Sequence, residues 1–524
     1  VSLLLAALAV WLAGGVACLF TGRNRQAAGR LGACVAVAGS VLALLAGVPV
    51  LVSGAAAAWQ AELPWQMPFG RLALACDGLA ALFVCVTALV TALAAIYGAG
   101  YLRHAPEGRA FGLTWFLFQV LTASMVVVFL AANAVLFLLA WEVMALSSFA
   151  LVMFDYARPE VRRAGLIYFV ATHLGTALLL VMFLLFGREA HGSLDFRDLP
   201  AAAGAPGLAS TVFILALLGF GTKAGLTPMH VWLPEAHPAA PSHVSAVMSG
   251  VMIKTGLYGL LRVLVMLGHP PAWWGWTLIA AGAASALVGV LFALAQRDLK
   301  RMLAYSSVEN IGIIVLGLGV ALLGRAAGSP AMAWLGFAGA LLHALNHALF
   351  KSLLFLGAGA VLHAAGTAVL DRLGGLLRRM PRTGNTFLAG SAAISGLPPF
   401  NGFISELLIF LGALTPLLER RVPGCADPTA GGVAAAVTLA LVGALAVACF
   451  ARAFGTVFLG EPREPALAAR AHDVDAAMFL PMLTLAAACL AAGLCAPQFL
   501  RAVAPAVQLL AAGHNGVDIA PAAR

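Results

Sequence analysis

Charge is scarce in this sequence: Asp, Glu, Lys and Arg together make up 10% of 524 residues, while 62% are hydrophobic. A soluble globular chain carries about 25% charged residues, so that class is excluded. Strand signals are also missing. No alternating run reads convincingly as a β-strand, and no Gly-rich nucleotide loop follows one. The eight cysteines contain no Cys-x-x-Cys pair and nearly all lie in apolar runs, where cysteine behaves as a small hydrophobe. Iron–sulfur or zinc ligation by cysteine is therefore not expected. This chain is expected to hold no metal or redox cofactor of its own, so any electron transfer belongs to partner subunits.

A secretory leader is not evident either. The first apolar run, Val1 to Phe20, has no basic residues ahead of it; Arg23, Arg25 and Arg30 come after it. That is the wrong order for a signal peptide. Gly15-Val16-Ala17-Cys18 matches a lipoprotein cleavage box only loosely, and a first spanning helix is the better reading. Valine at position 1 fits either an alternative start codon or a clipped end.

What the chain does have is long apolar runs. A spanning helix needs about 20 apolar residues. By that rule the chain is an all-α polytopic membrane protein with about fourteen spans, near 3–20, 31–53, 77–97, 112–131, 134–154, 165–187, 211–229, 243–264, 273–295, 303–323, 331–362, 386–414, 432–458 and 476–497. The eleventh is long enough to be tilted, or bent near Gly357-Ala358-Gly359. The net charge of +9 collects in short loops between these runs, so the lipid bilayer accounts for it and nucleic acid is not implied. Odd-numbered loops hold seventeen Lys/Arg, from Arg23 to Arg470, against six in the even loops. The odd loops are thus expected to be cytoplasmic, with both termini outward.

Two spans are interrupted. The seventh carries Lys223 before Ala224-Gly225-Leu226-Thr227-Pro228, and the twelfth carries Ser395-Gly396-Leu397-Pro398-Pro399, then Gly402 and Glu406. They lie five segments apart, as do the runs 4–8 and 9–13, and a repeat unit of odd number inverts in the membrane. Paired breaks in matching halves point to an ion site at the midplane. The expected organisation is residues 1–110 for the first three helices, 111–264 for one five-helix repeat, 265–460 for its inverted partner, and 461–524 for the last helix and tail.

Five ionisable residues were expected inside these spans: Glu142, Lys223, Lys254, Lys351 and Glu406. Each costs roughly 2.5–3.5 kcal/mol at the bilayer centre, so they require partners and a task. Glu142 at about 6 Å from Lys223 would interact by roughly 3 kcal/mol at an effective dielectric near 20, enough for a charge switch. Snorkelling is the bland reading of Lys254. His343, His347 and Lys351 recur every fourth residue, on one face of the eleventh helix. This is better suited to a hydrated proton relay than to a metal, because no cysteine or carboxylate is nearby in sequence. His173 either joins this line or is a hydrogen-bonded core histidine. His230, Glu235, His237 and His243, around the seventh-to-eighth loop, are candidates for a cytoplasmic funnel through which protons enter.

The run Lys223-Ala-Gly-Leu-Thr-Pro-Met-His-Val-Trp-Leu-Pro-Glu-Ala-His237 resembles the signature of antiporter-like membrane subunits of respiratory complex I, Mrp-type Na⁺/H⁺ antiporters and membrane-bound hydrogenases. The likeness covers roughly segments 3 to 14. Ser307-Val-Glu-Asn-Ile-Gly312, Asn346-His-Ala-Leu-Phe-Lys351 and Leu397-Pro-Pro-Phe-Asn-Gly-Phe403 resemble the hydrogenase-4 and formate hydrogenlyase large membrane subunits. The resemblance implies that Glu142 is the fifth-helix partner, Lys223 the pumping lysine, Lys254 and Lys351 connecting lysines, and Glu406 the terminal carrier. Other members have lysine at that last position. Larger relatives continue into a long lateral helix, whereas this chain has a weakly amphipathic stretch, Phe499 to Ala512, and a polar tail; it is either short by design or lacks its end. The function implied is proton (or Na⁺) translocation with other membrane subunits of a hydrogenase or complex I-like assembly, in a bacterial or archaeal plasma membrane. A cation/proton antiporter or ion-coupled uptake subunit without electron transfer is the competing reading. A structural scaffold is a third, opposed by the intact charged row.

Overall fold

The computed structural model describes the chain apart from residues 54–57, 64–71, 106–107, 200–203, 205–206, 420–424 and 513–524. The first half contains α1 (Ser2–Leu19), α2 (Arg25–Ser53), β1 (Trp59–Leu63), β2 (Leu72–Cys76), α3 (Gly78–Tyr101), α4 (Phe111–Leu130), α5 (Ala134–Val152), α6 (Pro159–Glu189) and α7 (Leu208–Ala224). After short α8 (Leu233–Ala239) and α9 (Ser242–Val247) come α10 (Lys254–Met266), α11 (Ala272–Ala295), α12 (Leu299–Ala326) and α13 (Pro330–Ala365). The remainder is α14 (Pro381–Ile394), α15 (Asn401–Leu414), α16 (Thr429–Phe458), α17 (Pro465–Arg470), α18 (Ala476–Leu494) and α19 (Ala496–Ala512).

Among the described residues, thirteen helices are long and apolar enough to cross a membrane, and the protein is a multi-pass membrane protein. The expected twelfth segment is instead α14 and α15, of 14 residues each, too short to cross singly at 1.5 Å per residue. The eleventh segment is one unbroken 36-residue helix, α13. Its Gly357 is a packing site, not a hinge: a Cβ there would stand 2.8 Å from the Phe387 ring.

Two expectations are corrected. Strands do occur: β1 and β2 pair antiparallel, Trp59 opposite Cys76 through Leu63 opposite Leu72, and β2 continues into a bridge between Leu74 and Ala131. Trp59–Leu63 does alternate apolar and polar residues, a short strand signal the sequence offered, whereas Leu72–Cys76 is apolar throughout and runs on into the apolar stretch of α3. The stretch after Phe499 is part of α19, whose Val503, Ala506, Val507 and Leu510 form one buried stripe at helical spacing, laid against α3 and α13.

Close approach between helices, more than side-chain bulk, holds the centre together. α12 and the α9–α10 segment are enclosed on all sides. On α11, Gly282 lies where a Cβ would stand 2.6 Å from Leu316 N and 2.8 Å from Gly312 O of α12. Lipid offers no hydrophobic drive for helices to associate, so such backbone-to-backbone packing supplies it. At the outer ends, Arg262 of α10 grips Asp77, the N-cap of α3, with Nη2–Oδ1 at 2.6 Å and Nε donating to Tyr258 Oη at 2.8 Å. Burial by itself would raise the Asp77 carboxyl; the Arg262 guanidinium and the Ala80 amide outweigh it and hold the group below its ordinary range.

Gly282→Val is expected to destabilise the purified protein by about 1–3 kcal/mol, the usual cost of overpacking, because the obstructing atoms are backbone. A thermal-unfolding midpoint in mild detergent equal to that of the unaltered protein would contradict the seam.

Candidate functional site

The first break positions Lys223. α7 ends at Ala224, and Gly225 takes a left-handed conformation (φ 82°) to close it. Lys223 sits in that last turn, 2% exposed, where the carbonyl end of the helix dipole favours a cation. The Trp232 indole donates to Thr222 O at 2.8 Å, and Ser285 Oγ receives the Thr227 amide at 2.8 Å, so backbone groups released by the break find partners. Lys223 Nζ donates to Tyr168 Oη at 3.0 Å and lies 5.3 Å over the Tyr168 ring and 5.9 Å over that of Trp141. Ser148 Oγ, which donates to Met144 O at 2.6 Å, receives the Tyr168 hydroxyl at 2.6 Å.

Glu142 does not touch Lys223. The expected charge interaction acts from a distance, while Glu142 Oε2 meets His173 Nε2 at 3.2 Å and the aromatic rings of Trp141 and Tyr168 face the lysine. The cause is helical geometry. Trp141 and Glu142 are about 100° apart around α5, and the larger tryptophan turns inward, 1% exposed. His173 thus belongs with Glu142 and not with the line of α13. Its Nδ1 also contacts Phe169 O at 2.8 Å. Both side chains are partly exposed, beside a cavity of about 460 Å³ lined by α5 and α6 residues such as Leu139 and Leu180.

Lys254 is 1% exposed, which removes snorkelling as its explanation. A five-residue π turn, Met248–Met252, precedes it, a feature common at functional sites. Lys254 Nζ donates to Ser249 O at 2.6 Å and contacts His347 Nδ1, while His347 Nε2 has no hydrogen-bond partner among the described residues. Ser249 Oγ meets Ser307 Oγ at 2.8 Å. Ser307 Oγ then donates to Leu303 O at 3.0 Å, which also accepts from Lys351 Nζ at 2.7 Å. Lys351 further bonds Ser306 Oγ.

From there the polar contacts turn towards the second break. Asn310 Nδ2 donates to Ser306 O at 2.8 Å, and its Oδ1 faces His343 Nε2 at 3.1 Å. The other ring nitrogen of His343 meets Ser405 Oγ at 2.9 Å. Asn346 and Asn401 lock the start of α15, with Asn346 Nδ2 to Asn401 O at 2.8 Å and Asn401 Nδ2 to Asn346 Oδ1 at 3.1 Å. Gly396 is left-handed at φ 61°, and a Cβ there would stand 2.9 Å from Glu406 Oε2. Glu406 therefore lies against the break.

The four candidates for a proton-admitting funnel divide. His230 and Glu235 are partly exposed, and Glu235 is tied bidentately to Arg301 at 2.8 and 3.3 Å. His237 and His243 are not in an open loop: α8 and α9 fold back into the bundle, leaving them 0% and 1% exposed. His237 stacks on Phe355 with centroids 4.8 Å apart, and neither of its nitrogens has a partner. Pro234, Pro238 and Pro241 disguise this segment as a loop in the sequence, although proline is tolerated in the first turn of a helix.

Sequence reasoning passed over Glu309, Lys300 and Arg262, charged groups packed within the bundle. Glu309 is 0% exposed, Lys300 donates to Ala240 O at 2.5 Å, and Arg262 forms the outer clamp. The signal was available, because Glu309 and Arg262 lie within the 303–323 and 243–264 runs. Lys300 was masked by its neighbours Arg297 and Arg301.

A multi-pass helical bundle with two interrupted helices, one carrying buried Lys223 and the other set against Glu406, defines an antiporter-like membrane subunit. Residues 131–416 match the family described as NADH:quinone oxidoreductase/Mrp antiporter, TM, and the chain belongs to that family. Hydrogenase-4 component B of Escherichia coli (strain K12) is 42% identical over 92% of this chain and 71% of its own length. Formate hydrogenlyase subunit 3 of the same organism is 34% identical over 97% and 80%. The fold is that of a subunit in the Mrp complex from Dietzia sp. DQ12-45-1b, with TM-score 0.83, 23% identity and coverage of 99% of this chain and 98% of that one.

Tyr168→Phe keeps the ring against Trp232 and removes the hydroxyl that receives Lys223. The expected loss is about 1–3 kcal/mol, read as a lower unfolding midpoint, with a smaller further loss when Lys223→Met is added. Strictly additive losses in that double-mutant cycle would show that the two side chains are not coupled.

Proposed function

We propose that this protein is the proton-translocating membrane subunit of a redox-driven complex, of the hydrogenase-4/formate hydrogenlyase or NADH:quinone oxidoreductase kind. The observation that carries the proposal is the buried sequence of Lys223, Lys254 with His347, Lys351 and His343, set between two interrupted helices. Ionisable groups at this depth are retained for a pathway, and the relatives named above are components of hydrogenase and hydrogenlyase systems by name.

Lys223 is the loading site. Its ammonium donates to Tyr168 Oη and faces two aromatic rings, while the Glu142–His173 pair beyond them supplies an adjustable charge. A change in the proton content of that pair alters how strongly Lys223 holds its proton. Side-chain hydrogen bonds do not run on from Tyr168 to Lys254; Met252 Sδ lies 3.7 Å from the hydroxyl. Transfer across that stretch goes through bridging water, which is nearly as good a partner as a direct bond. From Lys254 onward the proton follows His347, the serines of α12 and Lys351 towards Glu406.

In this reading the chain lies in a bacterial or archaeal plasma membrane with both termini outward, and neighbouring membrane subunits complete the complex. Electron transfer and its cofactors reside in those partners, and the coupling ion is H⁺, with Na⁺ the alternative. The same reading takes the chain as two inverted five-helix repeats, with Lys223 and Glu406 in corresponding halves, and takes His230 and Glu235 as the cytoplasmic mouth.

Lys223→Ala, in a complex that assembles normally, is expected to abolish proton uptake into vesicles while electron transfer by the partner module continues in part. Glu142→Gln should be milder, because His173 and water remain to carry the charge. Undiminished proton uptake in Lys223→Ala would remove the lysine from the mechanism. Mass spectrometry of the complex purified in mild detergent tests the redox assignment. Recovery of a hydrogenase or quinone-reducing module supports it, and recovery of small antiporter-type membrane subunits alone replaces it with an exchanger.

A further inference from the structure

Among the described residues of the α11–α16 region, Glu309 is a fully buried carboxylate that no hydrogen bond explains. It is 0% exposed, and neither carboxylate oxygen has a hydrogen-bond partner among the described residues. Asp77 provides the contrast within the same molecule: there the carboxylate receives a guanidinium and a backbone amide. Leaving a buried charge without compensation costs about 3–5 kcal/mol, so a group placed only for stability would resemble Asp77.

The surroundings of Glu309 place it between two members of the proton row. On α12 it is three residues beyond Ser306, which bonds Lys351 Nζ, and residues at that spacing are neighbours on a helix surface. It directly precedes Asn310, whose side chain is joined through His343 to Ser405, the residue before Glu406. His343 therefore fastens α12 to α15 through residues that each adjoin one of the two carboxylates in sequence. The charged groups that act on Glu309 are Lys351 of α13 and Glu406 of α15, with the Cys449 thiol of α16 also in range. Gly289 of α11 closes the remaining side, where a Cβ would stand 2.7 Å from Glu309 Cα. One cation, one anion and no fixed donor surround the carboxylate, which is the environment of a group that changes protonation state.

We propose that Glu309 is a proton carrier that takes the proton from Lys351 and delivers it to Glu406. In the first step the Lys351 ammonium loses H⁺ and the Glu309 carboxylate becomes a carboxylic acid. In the second, Glu309 returns to carboxylate as Glu406 is protonated, each hop through water. The two carboxylates repel when both are ionised, so protonating Glu406 favours the recharging of Lys351 beside an anionic Glu309. A carboxylate terminus thus works with a carboxylate relay behind it, in place of a second lysine.

The proposal rests on the proton-translocating reading above, and the test separates the two. Glu309→Gln, Glu309→Asp and Lys223→Ala are introduced into the whole complex, and vesicle acidification is followed with a pH-sensitive dye during turnover. Glu309→Gln is expected to lower proton uptake on the order of a hundredfold, the loss typical of a removed proton-transfer group, with Glu309→Asp recovering part of it. A protonated-carboxyl C=O band in infrared difference spectra, sensitive to deuterium, should be present in the unaltered complex and missing in Glu309→Gln. Normal uptake in Glu309→Gln while Lys223→Ala is inactive overturns the role of Glu309 alone. Normal uptake in Lys223→Ala overturns the reading beneath it. Failure of both Glu309 variants to assemble, with no carboxyl band in the unaltered complex, makes Glu309 a structural group and also overturns the proposal.

Discussion

The cost of holding charge away from water governs this protein. Inside a bilayer each backbone group must find an internal partner and each ionised side chain a compensating one. The outer clamp meets that demand fully: Arg262 and Asp77 exchange two bonds, Tyr258 takes the guanidinium Nε, and Phe129 O receives the tyrosine hydroxyl at 2.5 Å. The interior row meets it incompletely. Among the described residues, Lys223 has one hydrogen-bond acceptor and neither Glu309 oxygen has a donor. Groups left in that condition respond strongly to any neighbour that gains or loses a proton, which is the property a relay requires.

A row of this kind needs rigid walls, and the helices provide them by close backbone approach. Gly256 allows α10 to press on the end of α7, where a Cβ would stand 2.5 Å from Phe220 O and 2.9 Å from Ala224 N. This brings the helix that carries Lys254 against the turn that carries Lys223. Gly282 and Gly312 do the same for α11 and α12, on which Glu309 and Asn310 sit. The breaks in α7 and between α14 and α15 are the exception to regular backbone, and each is stitched by nearby side chains: Trp232 and Ser285 at the first, Asn346 and Asn401 at the second.

Much of the site was legible as violations of composition. Lys223, Lys254, Lys351 and Glu406 stand out because they interrupt apolar runs, and the His343–His347–Lys351 spacing places them on one face of α13. Glu309 and Arg262 obey the same rule and were overlooked beside the motif and loop residues around them. The buried course of His237 and His243 was not legible, since three prolines in eight residues look like a loop until tertiary packing encloses them.

The sequence by itself determined a multi-pass helical membrane protein, its two interrupted helices and most of the ions it must bury. These follow from length, hydropathy and the rarity of charge, all of which are local properties of the chain. Tertiary structure alone decided which ions meet. Trp141 turned inward and sent Glu142 out to His173, His347 was given to Lys254, and Glu309 was left bare between Lys351 and Glu406. Partnership is set by how helices rotate and approach one another, and that depends on packing across residues as distant as Gly256 and Phe220.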